Sequence, residues 1–199
     1  MPSDTSYQTR DVQHFERWSR TYEGSWLQDR LFTRVHRAVL GVAAPLPAPA
    51  SVLDVGCGTG RLLRAAGASW PGAQLIGVDP AEGMVEAARA LTPGATIHRG
   101  LAESLPLPDA SVELAFSTLS SHHWQDQAAG VREIARVLRP GGHFILADFA
   151  LPRALRWFPF HGGGLSADAR ERLFTAAGLR IEGQQSVVYP FILATLAAR

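Results

Sequence analysis

Three groups of residues along this chain have the types and spacing that binding or catalysis requires. The first is the glycine-rich segment VLDVGCGTG at residues 52–60, in which the glycines follow a G-x-G-x-G pattern. Glycines in a turn permit positive φ and let the backbone approach a ligand closely. The second is Asp79, whose carboxylate is placed to accept hydrogen bonds from both ribose hydroxyls of an adenosine cofactor. The third is the pair His122 and His123, which can transfer protons near neutral pH.

The glycine spacing separates two classes of adenosine cofactor. A dinucleotide-binding turn has the fingerprint G-x-G-x-x-G, and Arg61 stands where that pattern places its last glycine. The chain also contains no lysine, so it lacks the Tyr-x-x-x-Lys pair that a nucleotide-dependent oxidoreductase could use. Both observations disfavour a dinucleotide. A tight strand-to-helix turn with no ligand is the alternative interpretation of the glycines.

The remaining histidines and the cysteine predict no metal site. Cys57 is the only cysteine, which excludes an intrachain disulfide and a multi-cysteine metal site, and fits a reducing, cytoplasmic setting. The other histidines show neither an H-x-x-x-H pattern nor carboxylate–histidine spacing, so we expect packing or surface roles for them. These histidines are His14, His36, His98, His143 and His161.

The elements that must position these groups alternate between strand and helix from Ser51 onward. The expected strands are 51–55, 74–78, 95–99, 112–116, 142–148, 179–184 and 187–196. This alternation predicts an α/β fold with a mostly parallel sheet covered by helices on both faces. Ligands of such sheets bind at the carboxyl ends of the strands, where the glycine turn, Asp79 and the histidine pair would all lie.

Two further segments are expected to shape a substrate pocket within a single domain spanning residues 1–199. Residues 1–45 read as an N-terminal helical segment, joined by the proline-rich connector AAPLPAPA to the core at 51–199. Trp18 and Tyr22 of the first segment could close over the cofactor as a lid. Trp157 and Phe160, in LRWFPFHGGG, suggest an apolar or aromatic substrate. The alternatives are packing on the sheet edge, contact with a membrane surface, or contact with a subunit partner such as a second copy of the chain in a homodimer.

Composition excludes several classes of function. Of 199 residues, 46% are hydrophobic and 19% charged, which is typical of a globular domain. The net charge is +1 from 19 basic and 18 acidic residues, so nothing argues for nucleic acid or an anionic membrane. The basic residues, all arginine, are spread along the sequence, and we expect no basic patch. No segment approaches the ~18 consecutive apolar residues of a membrane-spanning helix.

Four motifs together carry a resemblance to a known family. They are VLDVGCGTG, VDPAEGMVEAAR, LAESLPLPDASVELAFS and REIARVLRPGGHFIL. Their order and separations resemble those of class I S-adenosylmethionine-dependent methyltransferases, especially the ubiquinone/menaquinone-biosynthesis-type group, over about residues 15–149. The resemblance implies a Rossmann-like seven-stranded sheet whose last strand is antiparallel, with S-adenosylmethionine as cofactor.

The resemblance also implies which residues hold the cofactor, and these residues contact its methionine, ribose or adenine parts. For the methionine part they are Asp54, Gly56, Gly58 and Ser117; for the ribose, Asp79; for the adenine, Pro80, Met84, Ala102 and Glu103. The sequence departs from the family at Leu101, where an acidic residue often accepts a hydrogen bond from the adenine amine. It departs more mildly at Glu113, where aspartate is common.

The expected activity is transfer of a methyl group from S-adenosylmethionine to an O, N or C atom of a small, apolar or aromatic molecule. Such enzymes mainly align the reactants and exclude water, and need a base only if the acceptor loses a proton. His122 and His123 are the candidate bases. The alternative is a catalytically silent cofactor-binding module that regulates or completes a partner.

Overall fold

A computed structural model describes residues 26–150, 164–188 and 191–199, and its strands form one seven-stranded sheet of order β3-β2-β1-β4-β5-β7-β6. The strands are β1 Ser51–Val55, β2 Gln74–Asp79, β3 Thr96–Arg99, β4 Val112–Thr118, β5 Leu138–Phe149, β6 Arg180–Val188 and β7 Ile192–Ala198. Neighbours among β1 to β5 run parallel, whereas β7 is antiparallel to both β5 and β6. The expected α/β fold with an antiparallel last strand is confirmed.

Helices cover the two faces of this sheet. They are α1 Trp26–Ala43, α2 Arg61–Ser69, α3 Glu82–Leu91, α4 Gln127–Val137 and α5 Ala167–Ala176, with a short 3₁₀ helix at Ser121–His123. One face packs Leu53, Ala115 and Phe144 with the apolar sides of α4 and α5. The other face packs Phe116 and Ile145 with α1 and α2. Central strands buried on both faces explain why their sequences are almost continuously apolar.

Local sequence explains where the helices begin. Asp126 caps α4, because its carboxylate accepts a hydrogen bond from the Ala129 amide at 2.9 Å. Ser166 caps α5 in the same way, through the Ala169 amide at 3.3 Å. These side chains replace backbone partners that a first turn lacks. The start of α2 instead follows Gly60, which adopts a left-handed conformation with φ of 79°.

The expected boundaries of the last strands were wrong. A strand over 187–196 would cross the turn between β6 and β7, where the Phe191 amide donates to the Val188 carbonyl at 2.7 Å. The apolar run continues through this turn, so hydrophobicity does not mark it. The strand expected at 142–148 is also longer, since β5 begins at Leu138 and bulges before it rejoins β4.

The buried Arg170 of α5 joins the helix to the sheet at the carboxyl end of β5. Its guanidinium donates to the carbonyls of Leu193 at 2.7 Å and Asp148 at 2.8 Å. It also donates to the Phe149 carbonyl at 3.2 Å, and the residue is 0% exposed. Burial lowers the pKa of Arg170 to about 10, against the favourable field of the Asp148 carboxylate. The arginine therefore fixes the backbone from which Asp148 projects.

None of the described helices is both long enough and apolar enough to span a membrane.

Candidate functional site

The glycine-rich turn leaves β1 and lies across the carboxyl end of β2. The amides of Gly56 and Cys57 donate to the Val78 carbonyl at 2.8 and 3.1 Å. Gly56 has φ of 76°, and a Cβ added there would lie 1.9 Å from the Ser120 hydroxyl oxygen. Only glycine fits this position, because both the conformation and the space exclude a side chain. The turn thus brings the loop after β4 against the loop after β1.

Asp79, at the end of β2, fixes the turn with one carboxylate oxygen and the next helix with the other. Its Oδ2 accepts a hydrogen bond from the Gly58 amide at 2.9 Å, and its Oδ1 accepts one from the Ala81 amide at 3.0 Å. Burial raises the pKa of Asp79 to about 6, although the two backbone hydrogen bonds oppose the shift. A carboxylate oxygen has two acceptor positions, so each keeps one for a hydroxyl group.

Asp54, near the end of β1, is a buried acid whose hydrogen-bonding capacity is not used. Its side chain is 2% exposed, and its Oδ1 has no hydrogen-bond partner among the described residues. Burial, and secondly the nearby Asp79 charge, raise the pKa of Asp54 to about 8. Buried polar atoms are normally paired, so an unpaired one calls for a water, an ion or a ligand as its partner. Asp54 lines a cavity of about 30 Å³ formed by α1, the glycine turn and Thr118.

Basic residues from α1 and α2 line the same cavity opposite Asp54. Arg61 begins α2, and His36 extends from the buried side of α1. The pKa of His36 is lowered to about 4 by burial and then by the charges of Arg61 and Arg64, so His36 is neutral at pH 7. The cavity therefore presents an acid and a permanent cation together. In the sequence Arg61 stands out only as a departure from the dinucleotide pattern, and nothing there indicates its place in the site.

The residues assigned to the adenine end lie around the ends of β2 and β3. Met84 and Ala102 are buried, and Pro80 is half-buried. Glu103 uses its carboxylate at the start of α4, where it accepts hydrogen bonds from the amides of Gln125 at 2.7 Å and Asp126 at 3.2 Å. These contacts give Glu103 a structural partner that the sequence did not predict.

Three other positions from the motif comparison have distinct surroundings. Ser117 is fully buried near the end of β4, and its hydroxyl lacks a hydrogen-bond partner among the described residues. Leu101 is 38% exposed, beside the loop after β3. Glu113 lies at the opposite end of β4, where it accepts the Ala50 amide at 2.7 Å and pairs with Arg139 at 2.7 Å. The change at Glu113 therefore lies away from the glycine turn.

The histidine pair follows β4 in the 3₁₀ helix, and the two rings, although in contact, have different surroundings. His122 Nδ1 lies 2.7 Å from Asp148 Oδ1, with the two side chains 9% and 2% exposed. His123 is exposed, and its ring centroid is 4.0 Å from that of His122. Asp148, at the carboxyl end of β5, was missed because nothing in the sequence distance of 26 residues links it to His122. The expected topology does place the ends of β4 and β5 side by side, and that signal would have found it.

The four residues expected to line the substrate pocket lie outside the described residues. They are Trp18, Tyr22, Trp157 and Phe160. Within the described ranges, no group of three or more His, Cys, Asp or Glu side chains is arranged to hold a metal ion.

Arginines gather on the α1–α2 side of the molecule, contrary to the expectation of no basic patch. Arg30, Arg34 and Arg37 border one groove beside α1, and Arg37 borders a second groove with Arg61 and Arg64. The sequence hides this grouping, because helical spacing aligns the first three and the fold brings the α2 pair beside them.

The strand order, the glycine turn after β1 and the acid at the end of β2 together define the class I methyltransferase fold. The chain superimposes on a chain of the Haloferax volcanii complex between the Trm112 methyltransferase activator and a methyltransferase. The TM-score is 0.76, over 92% of this chain and 96% of that chain, at 24% identity. Similarity at that level of identity establishes the fold.

Sequence comparison places the chain in a family. The model of a methyltransferase domain matches residues 53–146. A Mycolicibacterium smegmatis protein named "Probable S-adenosylmethionine-dependent methyltransferase" is 34% identical over 180 residues, covering 86% of this chain and 68% of the relative. The chain belongs to the S-adenosylmethionine-dependent methyltransferases, which use S-adenosylmethionine as methyl donor.

Two further relatives differ in the substrate that their names give. A malonyl-[acyl-carrier protein] O-methyltransferase of Hahella chejuensis is 35% identical over 72% of this chain and 55% of the relative. A demethylmenaquinone methyltransferase of Chlorobaculum parvum is 36% identical over 51% of this chain and 42% of the relative. The chain thus spans about half the length of these relatives.

Proposed function

We propose that this chain transfers the methyl group of S-adenosylmethionine to a small apolar or aromatic molecule, within a single domain of residues 1–199. The observation that carries the proposal is the Asp54 Oδ1, which has no hydrogen-bond partner among the described residues, in a side chain that lines one small cavity together with Arg61 at the glycine turn. In this proposal residues 1–45 form a lid on the core at 51–199.

The chemistry of the cavity fits the methionine end of the cofactor. That end carries an ammonium and a carboxylate, and the cavity offers Asp54 for the first and Arg61 for the second. Gly56 and Gly58 leave the backbone open for a close approach. A ligand that carries both an ammonium and a carboxylate can pair with Asp54 and with Arg61 at the same time. An anionic ligand would leave Asp54 unpaired.

The nucleoside end would be held next to this cavity. Asp79 would accept the ribose hydroxyls with the acceptor positions that its two backbone hydrogen bonds leave open. Pro80 and Met84 would flank the adenine, Ala102 and Glu103 would lie along its edge, and the backbone at Ser117 would approach the methionine amino group. Since Leu101 cannot accept a hydrogen bond from the adenine amine, backbone groups and packing would recognise the base.

S-adenosylmethionine supplies an electrophilic methyl group when it is bound. The residues of this chain bind and orient the reactants and exclude water from the space between them. The aromatic side chains Trp18, Tyr22, Trp157 and Phe160 would line the acceptor pocket. The proposal extends the ubiquinone/menaquinone-type resemblance to an aromatic acceptor, with the demethylmenaquinone methyltransferase relative as support.

Isothermal titration of the purified chain with S-adenosylmethionine and S-adenosylhomocysteine tests the cofactor site. We expect saturable binding with a Kd of about 1 μM, roughly −8 kcal/mol, that Asp79→Ala abolishes. The control Asp109→Asn changes a carboxylate that is 78% exposed, and should bind as the parent does. NADH should not bind. Folded protein that binds neither sulfur ligand, or that still binds after Asp79→Ala, would contradict the proposal.

A further inference from the structure

The His122–Asp148 pair has the geometry of an oriented base, and it leads to a substrate class. We propose that His122 removes the proton of a phenol- or enol-type hydroxyl on the methyl acceptor, with Asp148 as its positioning residue. This inference rests on the proposed methyltransferase function and deepens it.

The Asp148 carboxylate takes part in four hydrogen bonds. Its Oδ1 lies 2.7 Å from His122 Nδ1 and accepts the Phe149 amide at 2.7 Å. Its Oδ2 accepts the Ser121 hydroxyl at 2.5 Å and the His122 amide at 3.1 Å. Burial opposes ionisation, but the hydrogen bond and the charge of His122, followed by the hydrogen bond from Ser121, outweigh it and hold the pKa of Asp148 below its usual value. Asp148 is thus an anion that only accepts hydrogen bonds.

An anionic Asp148 determines which nitrogen of His122 carries the proton. Because the carboxylate cannot donate, the short contact requires the proton on Nδ1. The neutral ring then presents a lone pair at Nε2, which has no hydrogen bond to any residue that the structure describes. A base needs this arrangement, with one nitrogen held and the other open to the acceptor.

Arg170 and His123 lie next to the pair. Arg170 of α5 lies behind Asp148, where its guanidinium donates to the Asp148 backbone carbonyl at 2.8 Å. This contact holds the backbone that carries the Asp148 carboxylate. Among the described residues, His123 of the same 3₁₀ helix also lies against the His122 ring. Asp148 would stabilise the imidazolium once it forms, as in other oriented histidine bases.

The pair lies at the carboxyl ends of the strands, the same side of the sheet as the proposed cofactor site. Ser120, immediately before the 3₁₀ helix, occupies the space beside Gly56, so this helix starts against the glycine turn. On its other side the His122 ring meets Phe149 edge-on, with ring centroids 5.1 Å apart. The His122 ring thus has an apolar neighbour and lies close to the glycine turn.

The presence of a base restricts the class of acceptor. A carboxylic acid, such as the malonyl group in the name of the Hahella relative, is already ionised at neutral pH and needs no base. A phenol or enol is mostly protonated at that pH, and its oxygen becomes a good nucleophile only when the proton leaves. An imidazole held by a carboxylate suits the second class of acceptor and adds nothing for the first.

In the proposed step, the acceptor O–H bond breaks and its proton goes to Nε2 of His122. The electron pair left on the acceptor oxygen forms the new bond to the methyl carbon, and the carbon–sulfur bond breaks with its electron pair retained by sulfur. The products are the methyl ether, S-adenosylhomocysteine and a protonated His122, which then loses its proton to water. No oxidant or metal enters this balance.

The first test reads the tautomer of His122 without any acceptor. Long-range ¹H–¹⁵N NMR of the histidine-labelled chain at pH 8, assigned with His122→Gln, should show the proton on Nδ1. Asp148→Asn should move it to Nε2, since an asparagine amide donates toward Nδ1. An Nε2-protonated ring in the parent chain would overturn the proposal.

The second test uses phenols of graded acidity as acceptors, with S-adenosylmethionine as donor and S-adenosylhomocysteine as the product measured. For phenols that are protonated at the assay pH, His122→Gln should lower kcat/KM by about 100-fold or more. For phenols that are already ionised the loss should be small. Asp148→Asn should shift the pH profile of kcat/KM while S-adenosylhomocysteine binding is kept.

His143→Ala is the matched control, because His143 also pairs with a carboxylate, Glu182 at 3.4 Å, but in the middle of β5, away from its carboxyl end. It should leave the rates unchanged. An equal loss for both kinds of phenol after His122→Gln would overturn the base assignment. A folded chain that binds S-adenosylhomocysteine but methylates no phenol would overturn the acceptor class alone, whereas a chain that binds no cofactor would overturn the proposed function itself.

Discussion

Asp54 is a buried acid that lowers the stability of the folded protein. Its Oδ1 has no hydrogen-bond partner among the described residues, and burial raises its pKa to about 8. A charge that must be removed from water without a partner disfavours the folded state. In the proposed function the ammonium group of the cofactor would offset this term, so the same acid would favour binding and disfavour folding.

Replacing this acid should therefore stabilise the free protein in a pH-dependent way. The folded chain holds the Asp54 proton to about pH 8, while the unfolded chain loses it near pH 4. The free energy of unfolding of the parent consequently falls as pH rises from about 4 to about 8. Asp54→Asn cannot ionise, so its advantage should grow over this range to roughly 2–5 kcal/mol.

Urea unfolding at a series of pH values measures this difference. Asp109→Asn, which removes an exposed carboxylate, serves as control and should show no such trend. A stability difference between Asp54→Asn and the parent that stays constant with pH would contradict the explanation.

At the residue scale, the sequence predicts acids that stand in motifs and misses partners from distant segments. Asp54, Asp79 and the glycines could be selected because each lies beside a recognisable turn. Asp148 could not, since its role depends on a contact between the ends of two strands. The role of Arg61 could not be predicted for another reason. The cavity that it lines is also formed by His36 of α1, a helix that precedes the glycine motif in the sequence.

At the scale of elements, α5 is fixed to the sheet by Arg170 as well as by apolar contacts such as that of Phe174. Its guanidinium satisfies carbonyls at the ends of both β5 and β7, including Asp148 and Leu193. Arg170→Met keeps much of the side-chain volume and removes these donors, leaving buried carbonyls unpaired. We expect a loss of roughly 3–5 kcal/mol in the free energy of unfolding.

Chemical denaturation followed by circular dichroism measures that loss. Arg132→Met, on α4, is the control because Arg132 is 59% exposed and pairs only loosely with Asp126 at 3.8 Å. Its effect should stay within about 0.5 kcal/mol. Similar stabilities for the two variants would mean that the carbonyls find other partners.

Elements were predicted well where periodicity or turn residues mark them, as in β1 and α4. The boundary between β6 and β7 was wrong, because the apolar sequence runs through the turn at Phe191. The antiparallel placement of β7 was available only through the family resemblance. Pairing between distant strands is a tertiary property, which local sequence does not encode.

At the scale of the whole molecule, the two cores share the same central strands. Trp70 packs with the core on the α1–α2 face, and Trp124 packs with the core on the α4–α5 face. Because β1, β4 and β5 contribute to both, we expect both faces to unfold in one transition, as the proposed single domain requires. Saturating S-adenosylhomocysteine at 100 times its Kd should stabilise the folded state by about 2.7 kcal/mol.

Thermal unfolding of the Trp70→Phe and Trp124→Phe variants, read by the fluorescence of the tryptophans left in each, tests this expectation. The two melting curves should each match the circular dichroism curve of the same variant, and both should shift upward by roughly 5–10 °C with the ligand. Melting of one face before the other would contradict a single cooperative unit.

The order of the strands also has a consequence for synthesis of the protein. β7 follows β6 in the chain but lies between β5 and β6 in the sheet. While the chain is leaving the ribosome, β5 therefore has an unpaired edge, and β6 has no neighbour, until residues 192–198 have emerged. Unpaired strand edges recruit other chains. The nascent protein should depend on chaperones most during this interval, and its sheet becomes complete only when β7 inserts.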